Sequence, residues 1–476
     1  MCPEIIEQSQ PLINNISDVI KVRLRNGESL LDVERGLFKD LLYLGLIIIN
    51  HAIKTLLAEQ EFVSATHKEV RSLVGSMRSK GRVKVTIKTL FGPITVRTSY
   101  WVENLRGRRG AKRQKRRKTG SGLYPTLWMW GIYERCTPAV QGEVARAMAL
   151  CSSCREGSDL LATRGIHIDA KSICRLAYGV GTRAIKARDD RLNYPDLIPD
   201  EDRILVDRRV AVALDGGRYR ARITHSAGRK NAKNRRGFDT PWKEPKGFII
   251  YILDEDGKPD RSVKPLCDFV TGDADVTSEL LCKYLRAYGA EEAREIIFLA
   301  DGAHWIWNRV TWLREELNFD DVKVTEVLDF YHAVEHLTEL SKLPKGWSQH
   351  RRKLWVKRQR RALKGGDFTD VQVAIAKLGQ GVAKSKQELF KREERYFNGD
   401  HKERLSYADF AKQRLPLGSG AIESAIRRVI NQRIKSNGIF WKPENAELVM
   451  HMRAQFKTGR FEEMIRHATS IYPRIA

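Results

Sequence analysis

Val210-Ala-Val-Ala-Leu-Asp215 and Glu295-Ile-Ile-Phe-Leu-Ala-Asp301 decide the fold. Each is a short, nearly unbroken apolar run, as a strand buried on both faces requires, and each stops on an aspartate followed by glycine. Between them the sequence predicts a second strand over 247–253, turned by Asp254-Glu-Asp-Gly257 into a third at 266–270, then a helix over 277–288. Beyond Asp301 it predicts a helix over 305–317, a fifth strand over 322–330 and a helix over 332–340. Pro416-Leu-Gly-Ser-Gly420 opens a last helix over 421–435. If the first and fourth strands lie side by side and parallel, Asp215 and Asp301 leave the same end of the sheet, where open sheets bind ligands. Glu423, in the first turn of the last helix, supplies a third carboxylate. Taken singly, each acid has a plainer use. The aspartates suit turn caps before Gly216-Gly217 and Gly302, and Glu423 complements a helix N-terminus. Taken together, carboxylates that repel one another attract divalent cations, and such sites catalyse displacement at phosphorus.

The order β-β-β-α-β-α-β-α is that of a ribonuclease H-like domain. The expected architecture is therefore α/β: an RNase H-like catalytic domain over 201–341 and 415–440, with a basic helical insertion at 342–414 and a C-terminal helical tail at 441–476. An α+β region precedes it at 1–105, comprising a helix over 27–60, dense enough in apolar residues to be buried on most sides, and a β-hairpin of two alternating runs around Phe91-Gly-Pro93. A basic linker at 106–120 follows. Residues 121–200 read as a helix-turn-helix DNA-binding domain, with Gly165 at the turn and Asp169 capping the last helix. On that helix Ile173, Leu176, Ala177 and Val180 share one face, leaving Lys171 and Arg175 to read bases.

The 476 residues carry 85 Lys and Arg against 59 Asp and Glu, a net charge of +26 and a pI near 9.8. Such a surplus repels itself unless an anionic partner neutralises it, and nucleic acid is the commonest such partner. Nine basic residues between 106 and 118, among them Arg108, Arg109, Arg116 and Arg117, suit phosphates. The insertion carries a second dense run that includes Arg351 and Arg352. No apolar run exceeds the nine residues 41–49, against the roughly 20 of a spanning helix, so no membrane association is expected. The N-terminus has no signal-peptide pattern, and the seven cysteines form no disulfide framework, which places the chain in the cytoplasm. Cys151-Ser-Ser-Cys154 lacks a second paired spacing and argues little for zinc.

Four motifs then fall in order: Leu214-Asp-Gly-Gly217; Leu299-Ala-Asp-Gly-Ala303 with Trp305-Ile-Trp307; Leu328-Asp-Phe-Tyr-His-Ala333 with Glu335-His-Leu337; and Gly418-Ser-Gly420 with Glu423-Ser424. They resemble the acid motifs of DDE transposases, most of all the ISKra-like branch of bacterial insertion-sequence transposases, kin to the Mutator-like group. Gln432-Arg433, Trp441 and residues 448–453 are similar to that family's C-terminal stretch. The resemblance implies that Asp215, Asp301 and Glu423 hold two Mg2+ ions, with Mn2+ able to substitute. It implies cleavage of element ends followed by strand transfer into target DNA. Asp329 and His332 occupy the place of an acid and histidine at the active-site periphery. The implied partners are double-stranded DNA, as terminal inverted repeats and as target, and further copies of the chain in a homo-oligomer on DNA. No small-molecule substrate is expected, and the location is the nucleoid. Arg427 and Arg433 are expected on DNA; Trp441 reads equally as a base-stacking aromatic or a core tryptophan. A structure-selective nuclease on the same fold and a domesticated DNA-binding protein are the alternatives, the second disfavoured by the intact acids.

Overall fold

The computed structural model describes residues 3–470 except 75, 104–121, 196–197, 231, 233, 235 and 400, with side chains from residue 14 onward. The basic linker with Arg108, Arg109, Arg116 and Arg117 lies outside the described residues. Three helices lead: α1 (Pro3–Arg25), α2 (Leu30–Ala58) and α3 (Gln60–Leu73). Ser29 caps α2 by accepting the Asp32 amide, 3.2 Å. The hairpin follows as β1 (Met77–Thr89) and β2 (Gly92–Glu103), its turn closed by Thr89, whose hydroxyl donates to the Gly92 carbonyl. Val85, Ile87, Ile94 and Val96 alternate inward and form a small separate core with Leu57, Leu127 and Ile132.

Helix α2 is not buried on most sides. Val33 and Leu57 alone among its residues are buried, because the hairpin covers one side of it, α1 and α3 pack elsewhere, and nothing described covers the rest. By length and composition α2 could cross a membrane, which the nine-residue run concealed: Asn50, His51 and Lys54 interrupt the run without stopping the helix.

Next come α4 (Pro125–Met129), α5 (Pro138–Leu150), α6 (Cys154–Ala162) and α7 (Ala170–Asn193). Gly165 makes the turn at φ +78°, and Asp169 caps α7 by accepting the Ser172 amide, 3.0 Å. Ile173, Leu176, Ala177 and Val180 are buried; Lys171 and Arg175 are exposed.

The main sheet has strands β3 (Arg209–Gly216), β4 (Lys246–Leu253), β5 (Leu266–Val270), β6 (Glu295–Ala300) and β7 (Lys323–Leu328), in the order β5-β4-β3-β6-β7. The first three pair antiparallel, while β3–β6 and β6–β7 are parallel. The chain is thus a mixed α/β protein built on a mixed sheet. Helices α8 (Ala274–Ala287), α9 (His304–Glu316) and α10 (Phe330–Ser341) connect and flank the strands. The insertion is α11 (Gln349–Gly365), α12 (Phe368–Gly379), α13 (Gln387–Asn398) and α14 (Tyr407–Lys412). Then follow α15 (Gly420–Ile426), α16 (Pro443–Lys457) and α17 (Phe461–Thr469).

Two expectations about organisation give way to packing. Helices α5–α7 and the sheet share one continuous hydrophobic core, so the part of 121–200 they form is not packed apart from the sheet. Residues 441–476 contain no mere tail, since Val449, Met450, Met452 and Ala454 of α16 are buried against β5, α5 and α7. A largely buried network pins these layers: Asp268 on β5 accepts from Arg188 on α7 at 2.7 Å and from the Tyr284 hydroxyl on α8 at 3.1 Å, and its oxygens lie 3.1 Å from His451 Nδ1 on α16. Burial alone would push this carboxyl up; the charges of His451 and Arg188 hold it well below the usual carboxylate range.

Candidate active site

The parallel register pairs Leu299 with Ala213, so two residues further on Asp215 and Asp301 stand level at the ends of adjacent strands. Each turns one oxygen toward a nearby amide. Asp215 Oδ1 accepts from Gly216 N at 2.6 Å, and Asp301 Oδ1 from Ala303 N at 3.0 Å. The Trp307 indole donates to the Asp301 carbonyl at 2.8 Å, fixing the loop from the first turn of α9. Gly302 is required here, because a Cβ would stand 2.3 Å from the ring of Tyr396, which α13 of the insertion lays beneath the loop.

Asp329 does more than occupy the periphery. It is wholly buried, and its Oδ1 caps α10 by accepting the amides of Tyr331 at 2.6 Å and His332 at 3.0 Å. Its Oδ2 accepts both the amide and the hydroxyl of Ser419. The Ser419 hydroxyl also lies 3.2 Å from Glu423 Oε1. Asp329 therefore clasps the end of β7 to the loop that launches α15, and so places Glu423. Sequence reading missed Ser419 and Tyr396; the Gly-Ser-Gly signature could have flagged the first.

Among the described residues, the ligand atoms that lie within 4.8 Å of one another belong to Asp329, His332 and Glu423. Asp215 and Asp301 stand outside that group but close enough to feel it. Burial pushes the Asp215 carboxyl up to about 6; the charges of Asp301 and Glu423 act the same way, while the Gly216 amide and His332 oppose them. Asp329 has its oxygens engaged by four donors, which leaves His332 and Glu423 as the freer ligands of that group, with Asp215 and Asp301 close by. Hard oxygen donors of this kind suit Mg2+ or Mn2+. Their electrostatic strain has a consequence in the metal-free protein. A carboxyl with a folded pKa near 6, above its unfolded value of 3.8, contributes stability that is complete below pH 3.8 and is lost as pH rises through 6. Allowing for its partial exposure, the loss should be about 1–2 kcal/mol. Chemical denaturation of the wild type and Asp215→Asn at pH 4.5 and 7.5 checks this: the substitution should stabilise more at the higher pH.

Other expected site residues are distributed unevenly. Arg427 and Arg351 are exposed, Arg351 with its guanidinium 4.7 Å over the Trp347 ring. Arg352 is half-buried between α10 and α11 with its Nε enclosed, so little of it is left for DNA. Arg175 pairs with Glu134, which leaves Lys171 the freer of the two cations expected to read bases. Arg433 and Trp441 are buried, against the expectation that Arg433 touches DNA and on the core side of the two readings of Trp441. Arg433 donates to the Met148 carbonyl and lies 4.9 Å over the Trp441 ring, while the Trp441 backbone bridges to Arg220 and Arg222. His336 Nδ1 lies 2.6 Å from Glu393 and its ring stacks on Tyr396. Cys154 Sγ sits 2.8 Å from Cys174 Sγ, and no third donor completes a metal group there among the described residues.

No protein-family model matches the chain, and no curated protein matches it. Among solved structures, the Drosophila P element transposase strand transfer complex aligns at 12% identity and a TM-score of 0.24, covering 68% of this chain and 80% of that one. A likeness of that degree carries no argument about fold or chemistry.

Proposed function

We propose that this protein is a DNA strand-cleaving and strand-joining enzyme of the DDE transposase type, of the ISKra-like branch, acting on the terminal inverted repeats of its own element and on target DNA. The observation that carries the reading is the pair Asp215 and Asp301, level on adjacent parallel strands, with Glu423 clasped opposite them in a chain of net charge +26. The strand order β5-β4-β3-β6-β7, with its antiparallel half and parallel half, supports an RNase H-like reading of the sheet. When bound, two divalent ions would supply charge neutralisation at the scissile phosphate and activation of the attacking oxygen. The chain's own contribution is to hold three carboxylates at one mouth, to fix Glu423 through Ser419 and Asp329, and to bring cationic surface to the phosphates. His332, beside Asp329 and Glu423, would contact the DNA backbone next to the acids.

The insertion would serve the DNA flanking the cut or the target. Helix α11 packs on α10, directly after β7 and Asp329, and keeps Arg351, Lys353, Arg358 and Arg361 exposed. Replacing these four by glutamine should leave binding to an isolated end unchanged and lower strand transfer by roughly tenfold or more. Unchanged transfer at moderate salt would make α11 a spacer.

The reading as a whole is tested on the gene's own flanks. Purified protein with Mg2+ should nick or cut duplexes carrying the flanking inverted repeats and join the 3′ ends to a plasmid. Cleavage governed by DNA structure regardless of repeat sequence would make the protein a nuclease, and binding without cleavage would make it a DNA-binding protein.

A further inference from the structure

A cluster of thiols beside a buried arginine has no part in the reading above. Cys154 opens α6, and Cys174 lies one turn into α7, 20 residues on. Their sulfurs are 2.8 Å apart, closer than unbonded sulfur atoms ordinarily rest, and both side chains are half-buried. Closing to a bonded separation of about 2.05 Å takes a movement of under about 1 Å. Cys151, at the end of α5, is the third thiol of the group. Facing them is Arg433, 3% exposed. It donates to the Met148 carbonyl, and the equally buried Arg453 donates to the carbonyls of Ala149, Arg428 and Val429. Among the described residues no carboxylate contacts either guanidinium. A buried cation without a counter-ion is costly, and the Trp441 ring meets only part of that need. Burial draws the Arg433 guanidinium below its ordinary value, and the groups acting against it are, in order, Cys154, Tyr178, Cys174 and Cys151. Three thiols and a phenol stand where an acid would.

We infer that Cys154 and Cys174 are a redox pair that a hydroperoxide closes into a disulfide joining α6 to α7. The pair is half-buried, so a small neutral oxidant reaches it more readily than a bulky disulfide does. Cys154 is the reacting thiol. The hydrogen bond from Cys174 draws it down to about 7, with Arg433 acting the same way against burial. Its place in the first turn of α6 also favours an anion. Cys174, the donor of that bond, is pushed far up, and Cys151 is pushed up by burial and by Glu156. The Cys154 thiolate attacks one peroxide oxygen, the O–O bond breaks, and the other oxygen leaves with a proton as water or an alcohol. Cys174 then attacks the sulfenic acid so formed, and its proton departs with the hydroxyl as water. Two thiols lose two electrons and the peroxide gains them. The disulfide carries no charge, so oxidation also strips Arg433 of its counter-charge. Arg433 and Arg453 anchor the turn at 427–434, directly after α15, to the end of α5. The inference does not depend on the catalytic reading.

The test uses the reduced full-length protein. Peptide mapping after graded hydrogen peroxide should find the Cys154–Cys174 disulfide before any other oxidised cysteine, and a dithiol should reverse it. In Cys174→Ser, dimedone should trap a sulfenic acid on Cys154 with no disulfide formed. In Cys154→Ser, Cys174 should stay reduced. Iodoacetamide at pH 7 should alkylate Cys154 about tenfold faster than Cys151, and Arg433→Gln should erase most of that advantage. If Arg433→Gln does not fold, the wild-type rates alone decide. Amide hydrogens at 427–434 should exchange several-fold faster in the oxidised protein than in the reduced one. Four results each overturn the inference: a pair still reduced in millimolar peroxide, a first disulfide between Cys151 and Cys154, equal alkylation of those two thiols, or unchanged exchange at 427–434.

Discussion

Asp215→Asn, Asp301→Asn and Glu423→Gln are each expected to bind repeat-end DNA with wild-type affinity and to lower Mg2+-dependent cleavage and joining by about a thousandfold or more. An amide keeps the size of the carboxyl and loses its charge. Attraction for a dication falls with that charge, whereas groove and phosphate contacts made elsewhere are untouched. Gel-shift titration and end-cleavage assays on the same preparations separate the two quantities. A variant with near-normal cleavage removes its residue from the site. Loss of DNA binding together with cleavage would mean that the acids organise the DNA surface instead.

Asp268→Ala is expected to cost about 2–4 kcal/mol, because it leaves the Arg188 guanidinium with only the half-exposed Asp189 as partner and deprives Tyr284 and His451 of a shared acceptor. Urea denaturation gives the number. A loss below about 1 kcal/mol would mean that water reaches Arg188 and replaces the carboxylate. Arg188→Ala should cost a similar amount, and the double variant much less than the sum, since both break one network.

How much was legible depended on where the partner of each residue lay in the chain. Residues 295–300 read correctly to the residue because a strand covered on both faces is apolar throughout. The fifth strand was expected to reach 330 but ends at Leu328, since the Asp329 carboxylate caps α10. The closing helix was expected to run to 435. It leaves α-helical form at Ile426 for a π-helical turn, Arg427–Asn431, whose Arg428 and Val429 carbonyls accept from Arg453. No local pattern announces a donor from that far along the chain. The same limit hid the burial of Arg433 and Trp441, because their coverage comes from α5 and from the strand end at 220–222. On α2 the periodicity reported which face could be buried and said nothing of what would cover it. The places of Asp215 and Asp301 were legible because they end strands whose neighbours are set by topology; the parts of Ser419 and Tyr396 were not, because they matter only through contacts across the fold.

The continuous core joining α7 to the sheet has a geometric meaning for any DNA lying across both. Lys171 at the start of α7 and Asp215 at the end of β3 stand on one packed body, whose described elements share that core. Such a body works as a ruler. If the first residue reads a base and the second meets the scissile phosphate, the number of base pairs between recognition and cut is written into the packing of α5, α7 and α16. One extra base pair in the spacer would then shift the cut phosphate by about 3.4 Å and turn it around the duplex axis, out of reach of carboxylates that cannot follow.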